Sequence, residues 1–302
     1  YPARYASAWT PAGTWLAGAG TAALIRPDGR VLQAALRGPR SGATALALAD
    51  GSVLVVGGLA WPETSAWITA LAVERLWLDA AGQIQNEALP ALPTGRGSVQ
   101  VMAGVVLAEG RVLLIGAGET REALLYEPKE RRWLVLPGPA TPRSDAPLVA
   151  LPDGRVWAAG GIGDAAALSS ELWDPATRTW QAGPALPLPM TGHRAVWSAG
   201  QPVVWLGGGY VPGVLGWKPG AQTVWVAAQH AGQRLGAGLV PLPGERLALV
   251  SGTYARNQVE AWGRRSAGAS LLPLLDGPQG VRPASWPALE EVGIAVRGHQ
   301  LL

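Results

Sequence analysis

Short apolar runs bounded by glycine-bearing polar turns recur along the whole chain, as in Val53-Leu54-Val55-Val56, Val112-Leu113-Leu114-Ile115 and Val203-Val204-Trp205-Leu206. Runs this short, with no 3.6-residue period, predict strands buried on both faces. Joined through their turns they predict apolar hairpins over 43–56, 101–115, 146–159, 195–206 and 237–250. Glycines follow each hairpin: Gly57-Gly58, Gly116 with Gly118, Gly160-Gly161, Gly207-Gly208-Gly209 and Gly252. Glycine at the end of a strand lets backbones approach or bulge. A more polar hairpin comes next, bracketed by Trp77 and Ile84, Tyr126 and Trp133, Trp173 and Trp180, Trp217 and Trp225, or Trp262 and Leu271. Turn formers such as Asp174-Pro175-Ala176-Thr177 and Lys218-Pro219-Gly220 sit between the brackets, so the two bracketing side chains are expected to pack together.

The turns that lead into the second apolar run align at Gly29, Gly51, Gly110, Gly154, Gly200 and Gly244, the last four 44, 46 and 44 residues apart. That period is the size of one four-stranded propeller blade, an inner hairpin followed by an outer one. The predicted fold is therefore an all-β propeller forming a single domain over 1–302. Residues 9–15 read as an outer hairpin with no inner partner before it, and 287–302 as an inner hairpin with no outer partner after it. The two ends then complete each other if N-terminal and C-terminal strands pair to close the ring, which removes exposed sheet edges. Residues 21–36 read as an inner hairpin without outer strands, because the next Asp-Gly turn follows 22 residues after the first. Inner hairpins number seven and outer ones six, so the expected count is seven blades, the second degenerate, with six as the alternative. An insertion over 59–70 carries Trp61 and Trp67.

The fullest copy runs Leu151-Pro152-Asp153-Gly154-Arg155-Val156, Gly160-Gly161, then Glu171-Leu172-Trp173-Asp174-Pro175-Ala176-Thr177-Arg178-Thr179-Trp180. In this order of strand, double glycine, aromatic and Trp the chain resembles the kelch-repeat β-propellers, particularly the bacterial kind. The resemblance is strong over 96–226 and weak past 262. Gly116-Ala117-Gly118 and Ser251-Gly252 depart from the double glycine. Quinoprotein propellers space their Asp and Trp two residues further apart than Asp174 and Trp180. Sialidase-type boxes need an Asp that the 10–15 segment lacks.

Composition adds bounds. Gly 41 and Pro 26 supply turns, and 48% hydrophobic against 15% charged residues supply a core. Trp 15 beside Phe 0 suggests that rings are assigned by their place in the repeat, with the indole N–H bonded to backbone. Cys 0 excludes disulfides, thiolate metal sites and a cysteine nucleophile. No apolar run approaches the length of a membrane span, and a start at Tyr1 fits a processed protein or an excised domain. The net charge of +3 is scattered, which favours acidic partners without predicting nucleic-acid binding.

Candidate chemistry concentrates on one face, where the loop entering each innermost strand and the loop after the second strand both lie. The entering loops repeat an arginine: Arg40, Arg96, Arg143, Arg194, Arg234 and Arg282. Such a ring suits carboxylates, phosphates or sugars, and equally suits bonds to neighbouring backbone as part of the repeat. The other loops add Trp61, Glu119, Asp164, Tyr210, Tyr254 and Arg256, aromatics and charges able to stack on a sugar or a peptide side chain. His193, His230 and His299 share no metal-ligand spacing, so neither metal nor cofactor is expected, and His193 reads as structural.

Among the enzymes that the resemblance brings in, a copper radical oxidase needs a Tyr cross-linked to Cys, which this sequence cannot supply. A sialic-acid epimerase is similar in fold and would use an Arg-lined pocket with Glu119 or Asp164 as base. The expectation is a non-catalytic propeller, outside the bacterial cytoplasm, binding a protein or glycan through the arginine face. The alternatives are an epimerase or lyase acting on acidic sugars in the central pocket, and a structural subunit of a surface filament or secretion assembly.

Overall fold

The computed structural model describes residues 6–60, 68–69, 71–93, 102–116, 121–198, 202–230, 232–235, 237–242 and 246–250, and beyond these the backbone of five short strands between 258 and 301. Two compact units divide the chain, Tyr1–Ser144 and Asp145–Leu302. The boundary falls where one sheet has ended and the next begins.

In the first unit, β1 (Ala6–Thr10), β2 (Gly13–Gly18), β3 (Thr21–Ile25) and β4 (Val31–Ala35) form a plain antiparallel meander. The second sheet contains β5 (Thr44–Ala47), β6 (Val53–Val56), β9 (Val73–Leu78) and β10 (Ile84–Leu89). A short hairpin of β7 (Leu59–Ala60) and β8 (Ile68–Thr69) interrupts it between β6 and β9. The third runs through β11 (Ala103–Val106), β12 (Val112–Ile115), β13 (Glu122–Glu127) and β14 (Arg132–Pro137).

The second unit repeats the plan twice. β15 (Leu148–Ala150), β16 (Val156–Ala159), β17 (Ser170–Asp174) and β18 (Thr179–Ala182) come first, with the one-turn helix α1 (Asp164–Ala167) between β16 and β17. β19 (Arg194–Ser198), β20 (Val203–Gly207), β21 (Gly213–Trp217) and β22 (Trp225–Gln229) follow. A final, five-stranded sheet joins β23 (Gly238–Leu242), β24 (Arg246–Val250), β25 (Gln258–Gly263), β26 (Leu272–Pro273) and β27 (Arg282–Pro283), the last paired with β25. β28 (Val296–Arg297) pairs with β29 (Gln300–Leu301).

Among the described residues, five four-stranded blades and one five-stranded sheet therefore stand where seven blades were expected, and the seven-blade count is not supported. The error lies in the first sheet. β1 lies beside β5, and β4 beside β10, so 6–18 is the inner hairpin and 21–35 the outer one, the reverse of the expectation. Burial explains the order, because β2 is largely buried while β4 alternates exposed and half-buried positions. Asp28-Gly29 closes an outer hairpin and Asp50-Gly51 an inner one, so this turn does not distinguish the two. Nor is a ring closed by pairing of the chain ends supported: β1 hydrogen-bonds to β2, and the two C-terminal strands to each other.

The cores sit between neighbouring sheets. Trp15, Leu24, Val53, Val55 and Leu76 join the first sheet to the second, and Leu54, Leu114, Leu124 and Tyr126 the second to the third. In the other unit Trp157 stacks on Trp217 from the next sheet, ring centroids 4.5 Å apart. Only some brackets pack as expected. Tyr126 and Trp133 face each other at 5.0 Å, whereas a register shift between Val214 and Leu215 sets Trp225 opposite Gly216 and its ring against Trp205. Indole N–H groups of Trp15, Trp133 and Trp217 bond to Thr10 Oγ1, Pro90 O and Ala221 O. Those of Trp157, Trp173, Trp180 and Trp225 are buried with no partner among the described residues, so the expected bond to backbone is made by Trp133 and Trp217 but is not general.

Candidate recognition face

The loops entering the innermost strands are stitched to the loops after the second strands. In the first unit Ser41 and Leu59 exchange two backbone hydrogen bonds of 2.8 Å. In the second, Gly161 N–H donates to Met190 O at 2.9 Å, Tyr210 N–H to Thr191 O at 3.1 Å, and Arg234 N–H to Gly209 O at 2.8 Å. Left-handed glycines make these approaches possible. Gly160 has φ +64°, and a Cβ there would stand 2.7 Å from His193 Cε1, closer than atoms of a packed interior come.

The repeated arginines do not share one environment. Arg40 is buried: its Nη1 donates to Ala72 O at 3.0 Å and its Nη2 to Glu74 Oε1, with both side chains 1% exposed. The other oxygen of Glu74 accepts the Arg37 N–H at 2.9 Å. Burial lowers the Arg40 pKa while the Glu74 charge opposes it, and the guanidinium stays ionised. Arg143 and Arg234 are buried as well and engaged in interactions of their own. Arg194 alone of these four opens to solvent, its side chain 51% exposed, with Nη1 3.3 Å from His193 O and 4.0 Å from Asp145 Oδ1. Arg282 lies in β27 opposite Val259. Arg96, Trp61, Glu119, Tyr254 and Arg256 lie outside the described residues, as do the side chains of Arg282 and Asp164 and all of His299.

His193, next to Arg194, is fully buried. Desolvation first, and the Arg194 charge second, push its pKa down to about 3, so the ring is neutral at ordinary pH. His230 is also buried. Among the described residues no three His, Asp or Glu side chains are grouped to hold a metal, and no helix is long and apolar enough to cross a membrane.

Tyr210, by contrast, is half-exposed and its ring lies over Gly192, 3.6 Å from where a Cβ would be. Two further exposed side chains escaped the sequence reading: Ile162 at 57% and Leu168 at 48%. Both lie on the β16–β17 loop, whose backbone is bonded to the 186–190 segment through Leu186 N–H to Leu168 O and Met190 N–H to Ala167 O, each 2.9 Å. The only sequence signal for Ile162 is its place between Gly161 and Gly163, an aliphatic flanked by residues without side chains. Thus the 186–194 segment carries, on itself or on loops bonded to it, Arg194, Tyr210, Ile162 and Leu168.

A series of four-stranded antiparallel meanders with adjacent innermost strands defines an all-β propeller. Comparison with solved structures supports the same class. The structure of YjhT matches with a TM-score of 0.68 at 13% identity, covering 90% of this chain and 97% of that one. A fungal alcohol oxidase of the AA5 family, in complex with copper, matches with a TM-score of 0.57 at 16% identity, covering 78% of this chain and 54% of that one. The chain thus spans about half the length of the oxidase. At such identities the likeness establishes the fold alone. No protein-family model matches the chain, and no curated protein sequence matches it.

Proposed function

We propose that the protein is a kelch-type, non-catalytic recognition propeller that binds a protein or glycan partner through the face built on the 186–194 segment. One observation carries the reading: Arg194, Tyr210, Ile162 and Leu168 stand exposed on backbone held by hydrogen bonds between loops. A backbone held in this way loses little freedom on binding, which removes the loop-ordering part of the cost that usually weakens surface recognition. The arginine face contracts accordingly, since Arg40 and its partner Glu74 are committed to each other inside the sheet. Kelch character and a bacterial, extracytoplasmic setting rest on the 151–180 repeat. The sugar-active and filament readings rest on Glu119, Asp164 and 59–70, and no described side chain favours either.

A glycan array and a displayed library of random linear peptides, both probed with the full chain, test the proposal. An Arg194→Ala/Tyr210→Ala double variant that keeps its thermal unfolding midpoint should lose at least about tenfold in affinity for whatever binds. Undiminished binding by that variant would move the site off this face.

A further inference from the structure

We infer that this face takes a polypeptide segment in which an acidic side chain adjoins an apolar one, rather than a glycan. The inference rests on the recognition face proposed above and names its partner.

Two observations separate the partner classes. Three of the four exposed large apolar side chains described in this unit, Ile162, Leu168 and Tyr210, lie on loops bonded to the 186–194 segment, and two of the three are aliphatic. A sugar ring is recognised by aromatic faces with planar hydrogen-bonding groups at its rim, and a branched aliphatic offers it neither. An apolar side chain of a peptide gains from all three, since burial of apolar surface is non-directional and scales with area. The second observation is charge. Arg194 is half-exposed, its Nη1 donating to His193 O at 3.3 Å and standing 4.0 Å from Asp145 Oδ1, at the outer limit of an ion pair. Its fork therefore remains able to take a carboxylate bidentately, which a better-placed Asp145 would prevent. His193 beside it is neutral and buried, so it neither repels nor replaces that cation. Gly192 lets the Tyr210 ring lie against the backbone of this segment, since a Cβ there would already stand 3.6 Å from the ring.

The test uses the full chain and a displayed library of random 12-residue linear peptides, with a glycan array in parallel. Selected peptides should share Asp or Glu within two residues of Leu, Ile, Val or an aromatic. Ile162→Ser or Tyr210→Ala should weaken a selected peptide at least about tenfold. Arg194→Glu should exchange the acidic consensus for a basic one, a reversal that a merely destabilised variant cannot produce. Val135→Ser, exposed on the outer strand β14 of the other unit, should change nothing. Peptides with no acidic preference, or an unchanged consensus against Arg194→Glu, would overturn the inference. Glycan binding that depends on Tyr210, without peptide enrichment, would overturn it while leaving the recognition face standing. Binding of either class that ignores all three variants would remove both.

Discussion

Acidification should destabilise the second unit through one side chain, His193. The folded ring holds its proton only near pH 3, because burial and the adjacent Arg194 disfavour the cation; in the unfolded chain a histidine takes a proton near pH 6.5. Above that value the ring is neutral in both states and contributes no pH dependence. Below it the unfolded state binds a proton that the folded state refuses, so stability falls by about 1.4 kcal/mol per pH unit. From 6.5 to about 3 this accumulates to roughly 5 kcal/mol, comparable with the whole stability of many domains. The hydrogen-bonded carboxylates act in a lower window. Arg155 holds Asp153 below the usual range, chiefly by a side-chain hydrogen bond, and the Gln83 backbone does the same for Asp79. Their stabilisation is present above the ordinary carboxylate pKa and is lost only below about pH 4.

Urea unfolding of the wild type and of His193→Gln, followed by tryptophan fluorescence from about pH 7.5 to about pH 4.5, isolates the histidine, because the other groups cancel in the difference. Over that range the wild type should lose about 3 kcal/mol more than the variant. Parallel stability profiles for the two proteins would refute a buried, neutral His193 and with it the electrostatic account of this loop.

Three further outcomes follow from the packing. Glu74→Ala leaves Arg40 charged inside the sheet and should cost about 3–5 kcal/mol in chemical denaturation, whereas an Arg40→Met/Glu74→Leu pair should recover most of it. Gly160→Ala combines a left-handed backbone with a methyl group driven at His193 and should cost about 2–4 kcal/mol by the same measurement. Trp157→Ala opens a cavity beside Trp217 and should cost about 3–5 kcal/mol, while Trp157→Phe should stay within about 1 kcal/mol, since it also removes an indole N–H that has no partner among the described residues. A penalty for Phe close to that for Ala, beyond what the smaller ring's lost volume accounts for, would mean that the indole nitrogen has a partner after all.

Much of the blade plan was legible because it is written in local chemistry. Val53–Val56 and Val112–Ile115 announce doubly buried strands, and 146–180 announces a complete four-stranded unit with its turns in the observed places. The first sheet was misread because an Asp-Gly turn and two tryptophans carry no mark of inner or outer position. Trp9 and Trp15 look like a bracket, yet one is exposed and the other buried, and that difference arises from which neighbouring strand each hairpin meets. The arginines show the same limit: spacing singles out six positions, but it cannot tell Arg40, paired with Glu74 34 residues on, from Arg194, left facing water.

The sequence alone therefore determined the repeat, the strand character and the positions of the turns, since these follow from side-chain patterning and backbone preference within a few residues. Tertiary structure alone decided the order of the first sheet, the burial of Arg40, Arg143, Arg234 and His193, and the exposure of Arg194, Ile162, Leu168 and Tyr210. Those depend on contacts between segments far apart in the chain, where identical residues in equivalent repeats meet different neighbours.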